Sequence, residues 1–164
     1  MRFSDSLDYS NSFMTSNGIK KVVLFMIGDI LCAIDIMNVK EILNPLKVIA
    51  MPAASKGVRG VADHRNAAIT VIDMRILFGA EPNSKVRKKW IIIKMDNNEI
   101  TALEVDTVMG VSEVNIKDER ELSSIGQSSG HPWSKKVYGS ETGLIFELDL
   151  QIVADALGAL KQDD

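Results

Sequence analysis

The sequence predicts an all-β fold built from two small closed barrels, and three observations carry that prediction. From Lys20 onward the 164-residue chain runs as short apolar segments broken by turn residues. These segments fall into two sets that overlay when the sequence is shifted by 69 positions. Each set offers about five short strands, closely spaced turns and few long helices, a pattern that favours small barrels over a sandwich or a parallel sheet.

Taken in order, the first 18 residues, MRFSDSLDYSNSFMTSNG, carry five serines and no long apolar run, so they read as a disordered tail. The segment Val22 to Val39, VVLFMIGDILCAIDIMNV, then falls without a gap on Ile91 to Val108, IIIKMDNNEITALEVDTV. Met26 meets Met95, Ala33 meets Ala102, Ile34 meets Leu103 and Asp35 meets Glu104. In both copies a β-rich run ends in a turn signal, Gly28-Asp29 or Asn97-Asn98, and a second run follows, so each half opens with a hairpin. Further on, Val58 to Gly60 (VRG) resembles Val137 to Gly139 (VYG), and Ala67 to Leu77 (AAITVIDMRIL) resembles Gly143 to Val153 (GLIFELDLQIV). These two overlays have different offsets, which predicts a loop three residues shorter in the second half. Asp73 and Asp149 end the last strand of each half and are suited to cap a short helix. The polar stretch Pro82 to Lys89 reads as the connection between units, and Gly126 to Lys136 as an exposed loop. The expected organisation is one domain over 19–157, with a first barrel within about 20–81 and a second within about 88–150, then a polar tail over 158–164.

Composition excludes several functions. With 19 Lys and Arg against 22 Asp and Glu, the net charge is −3, and only 5% of residues are aromatic. A barrel that binds single-stranded nucleic acid needs a basic groove and stacking side chains, and an acidic chain poor in aromatics argues against both. Cys32 is the one cysteine and lies in an apolar run, which excludes disulfide frameworks and cysteine-based zinc sites and suits a reducing cytoplasm. No stretch approaches 18 consecutive apolar residues.

A catalytic reading finds little to work with. The stretch Gly57 to Gly79 looks rich in chemistry, yet His64 and His131 are the only histidines and neither has metal-ligand spacing. His131, between Gly130 and Pro132, reads as a solvated loop residue. Asp73 and Asp149 are explained by capping, and no phosphate-binding glycine pattern is present. No enzyme, cofactor or metal is expected.

The segments IDIMNVKEI, GVADHR, VIDMRILFG and LEVDTVMGV, in this order and spacing, resemble the CheW family of chemotaxis coupling proteins over about Lys20 to Leu157. The resemblance implies two tandem five-stranded SH3-like barrels packed around a shared hydrophobic seam. It also implies a non-enzymatic cytoplasmic adaptor at membrane-associated receptor arrays. Its partners would be the regulatory domain of a CheA-type histidine kinase and the cytoplasmic tip of methyl-accepting chemoreceptors. Carried over by position, it assigns Val39, Glu41 and Ile42 to a kinase-contacting edge, Arg65 to array contacts, and Val105, Val108 and Val111 to the neighbourhood of the receptor groove. The chain departs from the family where Asn-Leu-Arg-Gly is expected, reading Asp63-His64-Arg65-Asn66. Asn66 tolerates the left-handed conformation that a tight turn demands, so the turn is expected to survive with altered surface chemistry. The alternative is a scaffold of the same fold that has lost one contact and serves another protein.

Overall fold

The computed structural model describes residues 18–52, 57–81, 85, 87–121 and 134–162. The strands are β1 (Ile19–Ile27), β2 (Ile30–Asp35), β3 (Val39–Leu43), β4 (Val58–His64), β5 (Ala67–Asp73), β6 (Lys89–Lys94), β7 (Ile100–Val105), β8 (Thr107–Asn115), β9 (Glu119–Arg120), β10 (Ser134–Ser140) and β11 (Gly143–Leu148). Helix α1 (Met74–Leu77) follows β5 and α2 (Leu150–Gln162) follows β11. Residues 1–17 of the expected tail, the loop 122–133 with His131, and 82–84 and 86 of the expected connection lie outside the described residues.

Two sheets form, in the strand orders β3-β6-β7-β5-β4 and β8-β1-β2-β11-β10-β9. Five strands of each correspond one to one, including the parallel contacts β5 with β7 and β11 with β2. The two-residue β9 is matched in the other sheet by a single bridge between Ile49 and Val61. The fold is two SH3-like barrels, but the halves of the chain are interleaved between them. Hairpin β1–β2 of the first half completes the sheet of the second, and hairpin β6–β7 of the second half completes the sheet of the first. The expected division into barrels within 20–81 and 88–150 is corrected accordingly. Strand pairing is decided by long-range contacts, which a repeat in the sequence cannot order.

Register corrects the overlay twice. Val23 pairs with Ile34 and Ile91 with Leu103, so the shift is 68 in the first strand of the hairpin and 69 in the second. The extra residue sits in the turn. Ile27 pairs with Ile30 across Gly28-Asp29, with Gly28 at φ 59 in the first central position. In the second copy Met95 N–H donates to Glu99 O at 2.8 Å across three residues, and the last of them, Asn98, has φ 69. A one-residue slip reverses every side chain of a strand. Ile27, and not Met26, therefore matches Met95 as a seam residue. The second strands keep the predicted match, since Ile34 and Leu103 lie in one core cluster, 1% and 0% exposed.

The later hairpins are equally long. Ala62 pairs with Ile69 and Tyr138 with Ile145, so both strands shift by 76. Both hairpins turn on two residues, and both carry a bulge at the same place, Val58/Gly60 and Ser134/Lys136. The predicted shortening of three residues came from matching Gly60 with Gly139, which are not equivalent.

Three apolar clusters define the interior. Ala62, Ile69, Val71, Trp90, Ile92 and Ala102 fill the first barrel, and Val22, Ala33, Val114, Tyr138 and Ile145 the second. The largest cluster draws on both sheets, with Phe25, Ile34, Ile72, Ile91 and Leu103 among its members, and forms the shared seam. Alternating residues of β1 and β6 thus serve a barrel on one face and the seam on the other, which is why these strands read as unbroken apolar runs. Helix α2 lays Val153, Ala156 and Leu157 on the seam and continues to Gln162, so the polar tail expected from 158 is helical at its start.

Cys32 is fully buried in the seam, and burial pushes its thiol up to about 12. We expect the native protein to resist thiol reagents at neutral pH and to react fully once unfolded. Rapid labelling of the native state would contradict this packing.

Candidate functional site

The expected interaction residues gather on the two equivalent edge strands, β3 and β8. In β3 a bulge lies between Val39, opposite Ile93, and Glu41, opposite Ile92. Simple alternation would put Val39 and Glu41 on one face. The bulge at Lys40 lets Val39 and Ile42 both face the seam while Glu41 points the other way. Val39 is 2% exposed and packs in the core, so the structure corrects its assignment as a surface contact. Ile42 is partly buried against the same cluster.

Glu41 meets the turn between β4 and β5. Arg65 and Asn66 have φ 52 and 65, left-handed at both central positions as in a type I′ turn. Sequence reasoning expected this at Asn66 only. The turn brings Arg65 Nη2 to 2.8 Å and Nε to 3.3 Å from the Glu41 carboxylate, and His64 Nε2 lies 3.2 Å from Glu41 Oε2. Hydrogen bonding from Arg65 holds the Glu41 carboxyl below its usual range against the opposing effect of burial, and the contact with His64 adds to the lowering. The Arg65 side chain is 54% exposed and that of Glu41 15%, so the guanidinium forms the outer surface. Glu41 and Arg65 were singled out separately from the sequence, and the structure joins them. Nothing in the sequence ties His64 to a residue 23 positions earlier.

In β8 a bulge falls at the corresponding position. Phe25 pairs with Val108 and Leu24 with Gly110, leaving Met109 as the extra residue, 69 after Lys40. From the end of β7 outward, Val105 is 0% exposed, Val108 is partly buried on the seam, and Val111 is 47% exposed opposite Val23. Val105 is thus a core residue, a second correction to the expected contacts. Met109, 61% exposed, belongs to this edge, and the alternating VMGV pattern could not reveal it because the bulge breaks the alternation. The turn matching Arg65-Asn66 is Glu141-Thr142. That turn is polar too, so the two edges differ along their strands: Glu41 on β3 is met by Arg65 and His64, whereas its counterpart on β8 is Gly110, flanked by the exposed apolar Met109 and Val111.

Between the barrels lies Asp106. Its carboxylate accepts from Arg75 Nε at 2.9 and 3.0 Å, from Arg75 Nη2 at 2.8 Å and from the Gly28 backbone N–H at 2.7 Å, with Lys88 Nζ at 3.5 Å. Burial pushes the Asp106 carboxyl up, but Arg75, the Gly28 amide and Lys88 outweigh it and hold the group below the usual range. Asp73 and Asp149 cap their helices as predicted, accepting at 2.9 Å from Arg75 N–H and Gln151 N–H. A cavity of about 340 Å³ between the β6–β7 turn and α2, lined by Met95, Leu150, Ala154 and Leu157 among others, contains none of the expected site residues. Among the described residues no helix is long and apolar enough to cross a membrane.

The family model of the CheW-like domain matches residues 21–156. A chemotaxis protein CheW of Rhizobium meliloti is 25% identical over 138 residues, covering 84% of this chain and 89% of the relative. One from Thermotoga maritima is 23% identical over 137 residues, with coverage of 84% and 89%. Among solved structures, the scaffolding protein TtCheW from Thermoanaerobacter tengcongensis superposes with a TM-score of 0.71 at 21% identity, covering 79% of this chain and 88% of that one, a likeness of fold.

Proposed function

The chain belongs to the CheW-like domain family, and from that premise we propose that it joins the regulatory domain of a CheA-type histidine kinase to the cytoplasmic tip of a methyl-accepting chemoreceptor, without catalysing a reaction itself. At the coarser level it is a chemotaxis coupling adaptor. The observation that carries the finer reading is the pair of equivalent edges with unlike chemistry. An adaptor needs two surfaces that do not compete, and the β3 edge with Glu41 and Arg65 differs in polarity from the β8 edge with Val108, Met109 and Val111. Arginine anchored by one partner and exposed at a turn is suited to an interface, and a ridge of exposed apolar side chains beside a seam is suited to an amphipathic helix. The kinase is assigned to the first edge and the receptor to the second, at arrays on the cytoplasmic face of the membrane.

Co-purification with the kinase regulatory domain and with a receptor fragment, separately and together, tests the reading. Glu41→Lys should weaken kinase binding about tenfold and leave receptor binding intact, because it sets three basic groups against each other at the first edge. Val111→Glu should do the reverse, since a carboxylate cannot be buried against an apolar helix without loss. Both variants should melt as the unmodified protein does. Failure to retain either partner would refute the proposal, and retention of one alone would leave a scaffold with a single contact.

A further inference from the structure

The cluster at the β4–β5 turn contains a group that the adaptor reading leaves idle. One carboxylate, Glu41, faces two basic side chains: Arg65 at 2.8 Å and His64 at 3.2 Å. The His64 and Glu41 side chains are 13% and 15% exposed, whereas Arg65 is 54% exposed. With imidazole neutral, Glu41 and Arg65 cancel and the Glu41–His64–Arg65 cluster has no net charge. With imidazole protonated, the cluster carries one positive charge, and Arg65 must share the carboxylate with a second cation.

We propose that this tip docks an acidic protein surface and that protonation of His64 sets how strongly it does so. This rests on the adaptor reading and deepens it by naming the chemistry and the regulation of the kinase-side contact. The outward group is a guanidinium whose fork suits a partner carboxylate. Its own counter-ion is already engaged and lies deeper. Of the groups around the imidazole, β3 contributes Glu41 and the turn contributes Arg65. Strand β5 sets the uncharged Ala67 opposite His64. Asp63, the preceding residue of β4, pairs with Ala68 and points to the other face of the strand. A bound carboxylate favours the protonated imidazole, so by linkage affinity rises as pH falls. At an exposed rim one added charge is worth about threefold in affinity, and less at high salt.

The test is calorimetry of the full chain with the kinase regulatory domain at about pH 6 and about pH 8, for the unmodified protein and for His64→Gln, which keeps a hydrogen bond to Glu41 without titrating. The expected result is a ratio of affinities between the two pH values about threefold larger for the unmodified protein than for His64→Gln. Equal ratios overturn the inference, whatever the absolute affinity. If the domain binds neither protein, the adaptor reading fails by itself, and an oligoglutamate peptide then serves as the acidic probe under the same two conditions. Binding that strengthens at the lower pH only when His64 is present, and that vanishes in Arg65→Ala, upholds the inference. A pH response unchanged by His64→Gln, or binding indifferent to Arg65, ends it. Thermal melts of both variants confirm that the fold is intact.

Discussion

Asp106→Ala is expected to destabilise the protein by about 3 kcal/mol or more, seen as a fall in melting temperature of roughly 10 °C. The carboxylate is 6% exposed and is the shared acceptor for Arg75 of α1, Lys88 of the connection and the β1–β2 turn. Removing it leaves the Arg75 guanidinium, whose side chain is 11% exposed, with the Glu81 carbonyl oxygen as acceptor but no carboxylate bonded to it, and strands the Gly28 amide. An unpaired buried charge is the main source of the loss, so Arg75→Met combined with Asp106→Leu should recover much of it. Because the folded-state pKa of Asp106 lies below the unfolded value near 3.9, the contribution is complete above that value and is lost as pH falls through the lower folded one. Acid unfolding of Asp106→Ala should therefore be less steep than that of the unmodified protein. If Asp106→Ala melts within a degree of the unmodified protein, the clamp does not hold the barrels together.

Gly60→Ala is the second large effect, expected at about 3 kcal/mol in denaturant unfolding. Gly60 has φ 153, and a Cβ there would stand 2.1 Å from the Ile49 carbonyl oxygen. The obstacle is backbone, so it cannot swing aside. The chain at Ile49 crosses β4 at this point, held by Ile49 N–H to Val61 O at 2.8 Å and Val61 N–H to Ile49 O at 2.9 Å. Adding a methyl group forces these bonds open and frees the edge of the first barrel. Gly139 provides the control: there a Cβ would meet only the guanidinium of Arg120, the movable end of an exposed side chain, so Gly139→Ala should be tolerated within about 1 kcal/mol. Equal midpoints for the two variants would remove this account of Gly60.

These two glycines mark how far the sequence reaches. VRG and VYG look alike, yet Gly60 stands opposite Val71 beside a crossing chain and Gly139 stands opposite Leu144 near the hairpin turn. Their difference lies in Ile49, a residue 11 positions before Gly60 that only folding brings into contact. The opening strands tell the same story from the other side. Their faces were misread by one residue because a two-residue turn and a three-residue turn both allow a hairpin, and only pairing fixes which was used.

By itself the sequence determined the class of fold, the repeat, the helix caps at Asp73 and Asp149, and the family, because each is written in local periodicity, turn chemistry or a run of motif residues. The family resemblance it carries also brought Arg65 and Val111 to exposed positions, and Glu41 and Val108 to half-buried ones on the two edges, since edge strands and turn tips keep their place in a shared fold. Tertiary structure alone decided that the hairpins exchange between barrels, that Val39 and Val105 are buried, that Met109 is exposed, and that Glu41, His64 and Arg65 meet. The physical reason is common to all four. Bulges and strand order turn a side chain from solvent to seam through hydrogen bonds between segments far apart in the chain, and no local pattern records which distant strand will supply them.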